Sequence, residues 1–163
     1  MSTTPADPRG QQPAGVSAVL ALVMSTVLLF ALAIFGLGAL SFATDRDIIA
    51  VPGLGQAPGA IGIALAVVVF ATGSWVGLRQ PRPTYQRVWL IAPATALMHL
   101  LGVWMSILIS TGEAVTATVV AGDFVREGTS VVLLLAAAVA SWAGVAMRRT
   151  RSTAPRWPWE DEE

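Results

Sequence analysis

The run from Val88 to Ile109 reads VWLIAPATALMHLLGVWMSILI. Roughly 20 apolar residues suffice to carry an α-helix across the hydrocarbon of a bilayer, and this run has that length. It holds His99, the only histidine of the chain and the only ionisable side chain deep inside an apolar run. It also holds Pro93, the only proline inside such a run. A basic connection precedes it and an acidic one follows.

Three further apolar runs flank it: Gly15 to Ala43, Pro58 to Leu78 and Thr129 to Met147. The 163 residues are 55% hydrophobic, and mean hydropathy is +0.67. A soluble domain sits near 45–50% apolar, so the excess gathered into four blocks predicts an integral membrane protein. The predicted fold is all-α: a four-helix transmembrane bundle with helices at about 15–43, 58–78, 86–110 and 129–147. These make one membrane domain over residues 15–147, between a polar, disordered tail at 1–14 and an Arg/Trp/acidic tail at 148–163. The first run is too long for a signal-peptide core and reads as a span.

The connections are readable from their punctuation. Residues 44–57 carry Gly and Pro, which break helices, and Pro58 suits a helix start. Residues 79–87 (RQPRPTYQR) are short and rigid, with Thr84 as the expected cap of the third helix and Tyr85 and Trp89 at headgroup level. Residues 110–128 form the longest connection, with enough Val and Ala to lie on the membrane surface or against the bundle. A serine/threonine cap is expected to open the fourth helix.

All ten basic residues are arginine. With the N-terminus cytoplasmic, eight fall on inner segments (Arg9, Arg79, Arg82, Arg87, Arg148, Arg149, Arg151, Arg156) and two on outer loops (Arg46, Arg126). The positive-inside rule then places both termini in the cytoplasm and the protein in the cell (plasma) membrane. Arginine without lysine, with abundant Ala, Val and Gly, resembles by association the codon bias of a high-GC bacterial genome.

Composition excludes several chemistries. There is no cysteine, hence no disulfide, thiol nucleophile or Cys-ligated metal. One histidine supplies one ligand where a zinc site needs three or four. No paired carboxylates, nucleophile with its base, or phosphate loop occurs within the apolar runs. The chain is therefore expected to be no enzyme, to need no cofactor or metal, and to bind no nucleic acid.

The candidate residues lie on helix faces. At steps of three and four, His99 shares a stripe with Ala92, Thr95, Ala96, Gly102, Val103 and Ser106. Small residues allow close helix approach, so this stripe is expected to face inward. An intramembrane ionisable group is a functional candidate by default, and the plainer role is a neutral imidazole hydrogen-bonded across the bundle. Pro93 removes a helix hydrogen bond and should kink the third helix. Ser25, Thr26, Thr72, Ser74, Thr95 and Ser141 line either a polar cleft or merely their own i−4 carbonyls. Gly73 and Gly77 form a GxxxG pair, and Gly36, Gly38 and Ala140 with Gly144 offer further close-approach surfaces. Ser74-Trp75-Val76-Gly77 is echoed by Ser141-Trp142-Ala143-Gly144, as duplication or convergent interface anchoring would produce. Arg148, Arg149, Arg151 and Arg156, with Trp157 and Trp159, suit anionic lipid or a cytoplasmic partner.

The function expected from this inventory is a non-catalytic assembly or modulatory component of a bacterial envelope complex. Its partners are the lipid bilayer and either further copies of itself or another membrane protein. The alternative is a small transporter or channel component using His99 and the inner-half hydroxyls. No motif identifies a family.

Overall fold

The computed structural model describes residues 16–45 and 53–150. The described chain is helical: α1 (Ala18–Thr44), α2 (Ala57–Leu78), α3 (Val88–Thr111), α4 (Ala114–Arg126) and α5 (Thr129–Arg149), with a 3-10 turn at Tyr85–Arg87 before α3. Four of them, α1, α2, α3 (with the 3-10 turn) and α5, are long and apolar enough to cross a membrane. Their bounds lie within a few residues of those read from hydropathy. The expected tails at 1–14 and beyond Thr150 lie outside the described residues.

The fifth helix corrects the four-helix expectation. Residues 114–126 (AVTATVVAGDFVR), part of the expected connection between the third and fourth spans, form α4. Valine, threonine and glycine have modest helix propensity, so the segment gains its helicity from packing. Ala117, Val120 and Phe124 fall on one face, at steps of three and four, and join Val103 and Ile107 of α3 in a common core. Gly112 makes the turn between α3 and α4 in the left-handed region, at φ 72, where its N–H donates to the Leu108 carbonyl at 2.8 Å. Glycine reaches that conformation without steric cost.

The long helices alternate in direction. Val16, Leu78 and Arg148 meet at one end, here called the terminus end. At the opposite, far end, Gly128 sits against Leu40. The most extensive interface is α2 on α3, followed by α1 on α5 and α3 on α5, while α4 rests mainly on α3. The middle of the protein is filled by Leu29, Phe70, Ile91, Ala92, Ala136, Ala137 and Ala140. Half of α3's apolar stretch is buried, against 22% of α1's, so α3 is the central element. Its buried residues include the whole predicted stripe.

The outward faces carry large apolar side chains such as Ile34, Phe35, Leu90 and Ile109. A continuous surface of this kind is disfavoured in water and suits hydrocarbon.

Two capping expectations fail. Thr84 precedes the 3-10 turn in extended conformation and makes no side-chain cap bond. α5 opens on Gly128, at φ 88, rather than on a hydroxyl cap, and the Thr129 and Ser130 hydroxyls are buried without a partner. Ser17, by contrast, caps α1 by accepting from the Leu20 N–H at 3.1 Å, and Pro58 lies in the first turn of α2.

Candidate functional site

Two places gather the unusual chemistry. The first is His99, only 1% exposed. It lies about 18 Å along the helix from Arg87 at 1.5 Å per residue. A tight helix crossing surrounds it. A Cβ on Gly62 would stand 2.8 Å from the His99 carbonyl oxygen and 3.0 Å from its ring Cδ2. A Cβ on Gly102 would stand 2.8 Å from the Gly62 Cα. Only a glycine pair allows α2 and α3 to approach this closely. From the far end Phe124 of α4 packs on the imidazole, with ring centroids 5.9 Å apart and planes tilted by 46°. The Nδ1 atom is buried and unpartnered. The hydrogen bond expected across the bundle is therefore not made through this nitrogen.

Three of the hydroxyls serve their own helices. Thr95 Oγ1 donates to the Ile91 carbonyl at 2.8 Å, Thr72 Oγ1 to Val68 at 2.8 Å and Ser25 Oγ to Leu22 at 2.9 Å. Ser106 and Ser141 are buried, and the buried Ser74 Oγ has no partner. Gly73 and Gly77 face α3, where added Cβ atoms would meet Ile91 Cγ1 and Arg87 Cδ, each at 3.3 Å. The GxxxG pair thus packs within the protein, along the same α2–α3 seam as Gly62. Gly144 lies against Ser25 of α1, and Gly36 against Val132 of α5, while Gly38 meets nothing.

The second place is the terminus end. Arg148 donates through Nε to the Leu78 carbonyl at 3.0 Å and through Nη1 to the Val16 carbonyl at 2.7 Å. Its guanidinium thereby ties the last residue of α2 to the chain entering α1. Helix ends leave carbonyls without intrahelical donors, and a cation there also complements the helix dipole. Arg149 lies over the Tyr85 ring, 5.1 Å from its centroid. That ring stacks on Trp142 at 6.1 Å. Arg82, Arg148 and Arg149, with Pro81, Pro83 and Thr84, line a cleft of ≈ 340 Å³. Beside it, between α3 and α5, runs an apolar groove of ≈ 660 Å³ lined by Val88, Trp89, Ala92, Pro93, Leu134, Ala138, Val139 and Trp142. Pro93 and the i−4 residue Trp89, whose carbonyl loses its helical donor, share this groove. Helix α3 continues through the proline without a break.

Charge is partitioned between the ends. Among the described residues, the terminus end carries Arg79, Arg82, Arg87, Arg148 and Arg149 and no carboxylate. The far end carries Asp45, Glu113, Asp123 and Glu127 with Arg126, which lies 3.9 Å from Asp123 in an exposed pair. Arg151, Arg156, Trp157 and Trp159 lie outside the described residues.

Sequence reasoning named His99, Pro93, Arg148 and Arg149 but missed Gly62, Phe124 and the participation of Arg82 and Tyr85. A signal for Gly62 was present in the small-residue spacing of Gly59, Gly62 and Ala66. Phe124 carried none, because its contact depends on α4 folding back onto α3.

Fold and site together define an all-helical protein with four helices suited to crossing a membrane. The chain belongs to a family of unknown function (DUF6121), whose family model matches residues 13–163. No curated protein and no solved structure matches it.

Proposed function

We propose that this protein is a multi-pass component of a bacterial plasma membrane, with both termini cytoplasmic, and that it acts by association within an envelope complex rather than by catalysis. The observation that carries the reading is how the interior spends its polar groups. The buried Ser25 and Thr95 hydroxyls are committed to carbonyls of their own helices. His99 is enclosed by the Gly62 crossing and Phe124. Such an interior supports a role in holding helices together. The orientation draws support from the arginine-rich terminus end, since cytoplasmic segments carry the excess of basic residues.

Two experiments test this. Reporter fusions after residues 14, 83 and 155 should read cytoplasm, and fusions after 50 and 118 should read the outside; an external signal at residue 83 reverses the arrangement. In-membrane crosslinking of the tagged full chain should then yield one reproducible membrane-protein partner in fixed proportion.

The second reading, a small transporter or channel component, is favoured by one observation: the buried His99 Nδ1 has no partner. Solute or ion flux through liposomes carrying the protein alone, abolished by His99→Leu, would establish that reading in place of the first.

A further inference from the structure

The cleft and the groove at the terminus end are one site in two parts, and we propose that it holds an anionic phospholipid, phosphate in the cleft and acyl chain in the groove. Three arginines, Arg82, Arg148 and Arg149, face the cleft, and among the described residues no carboxylate pairs with any of them. Arg148 is already held by its bonds to the Leu78 and Val16 carbonyls. Those bonds occupy two of its five N–H donors. The remaining three sit on a guanidinium whose position is set before any ligand arrives, which lowers the ordering cost of binding. Arginine's planar fork matches phosphate oxygens.

The apolar half is continuous with the basic half. Arg149 lies over Tyr85, Tyr85 stacks on Trp142, and Trp142 lines the groove. This ladder of two rings has an amphipathic character suited to the headgroup boundary. The groove beyond it opens sideways between α3 and α5, where Pro93 and Ala138 leave room, and Trp89 stands 82% exposed at its edge. A soluble phosphate compound would use the cleft and leave the groove empty. A zwitterionic lipid would bring a second, positive group toward three arginines. An anionic glycerophospholipid satisfies both halves. That the site meets this lipid in the cell rests on the inward placement of the terminus end proposed above, because anionic lipids of the cytoplasmic leaflet attract basic juxtamembrane groups.

The test is native mass spectrometry of the full chain in a neutral detergent, titrated with phosphatidylglycerol or phosphatidylcholine of matched chains. Phosphatidylglycerol should bind about tenfold tighter or more. At roughly fivefold for each near-surface charge, the double variant Arg82→Gln with Arg149→Gln should lose most of that preference and bind phosphatidylcholine as before. Arg148 is left intact because it ties helix ends. Ala138→Phe, which fills the groove, should weaken both lipids, and inorganic phosphate should not displace phosphatidylglycerol. Unchanged thermal unfolding without lipid checks that each variant folds, and Arg82→Gln alone, in an exposed turn, serves if the double variant does not. Equal affinity for the two lipids overturns the proposal. So does displacement by phosphate, which makes the cleft a phosphate site alone, or indifference to Ala138→Phe, which puts the chain elsewhere. Headgroup selectivity in detergent does not depend on orientation, so the reporter fusions can fail while this site stands, and the reverse.

Discussion

Gly62→Ala places a methyl group 2.8 Å from the His99 carbonyl oxygen and 2.8 Å from Val103 Cγ2. The valine methyl has some freedom, but the carbonyl oxygen belongs to the backbone of α3. Relief therefore requires α2 and α3 to move apart along their whole seam, loosening the contacts of Gly73 with Ile91 and Gly77 with Arg87. Overpacking of this kind costs about 1–3 kcal/mol. Alanine gains up to about 1 kcal/mol over glycine from helix propensity, so with the full gain a net loss of up to about 2 kcal/mol is expected. The internal control is Gly38→Ala. No atom lies within 4 Å of its added Cβ, so only the propensity gain of up to about 1 kcal/mol applies. For a chain of this size each kcal/mol moves the midpoint by about 2–4 °C. Thermal unfolding in one detergent should thus lower Tm for Gly62→Ala and raise it for Gly38→Ala. Gly62→Ala as stable as Gly38→Ala would refute the close crossing, and with it the account of how His99 is enclosed.

Two further outcomes follow from the same contacts. His99→Leu should be neutral or slightly stabilising, because it removes a buried Nδ1 that has no partner, whereas His99→Arg should cost at least about 2.5–3.5 kcal/mol for a charge at that depth; unfolding of both variants beside wild type measures this, and loss of a cellular phenotype in a stable His99→Leu protein would assign the residue to function. Arg148→Gln forfeits charge-assisted bonds to Leu78 and Val16 and should cost about 1–2 kcal/mol, given partial exposure, while Arg149→Gln should cost less than half of that; equal thermal stability of the two would show that the tie between α1, α2 and α5 carries no load.

What hydropathy and helical period determine was legible in the chain itself. The four long helices begin and end within a few residues of the apolar runs, because a run of apolar side chains and its Gly/Pro punctuation are local properties. The buried stripe of α3 was legible for the same reason: one residue in three or four shares a face, and the small, weakly polar face turned inward. The partition of arginines and carboxylates was also written in the loops. Tertiary structure alone decided which faces meet. Arg148 finds carbonyls 70 and 132 residues away along the chain, and no periodicity encodes such a pairing. Small-residue spacing marks Gly62 and Gly102 as close-approach positions within their own helices, but that the two glycines meet each other, while the surroundings of Gly38 stay open, is decided by the packing. Helix α4 is the clearest case: its residues have modest helix propensity and fall short of a membrane span. What makes the segment a helix, and brings Phe124 onto His99, is the apolar surface that α3 offers on its far half.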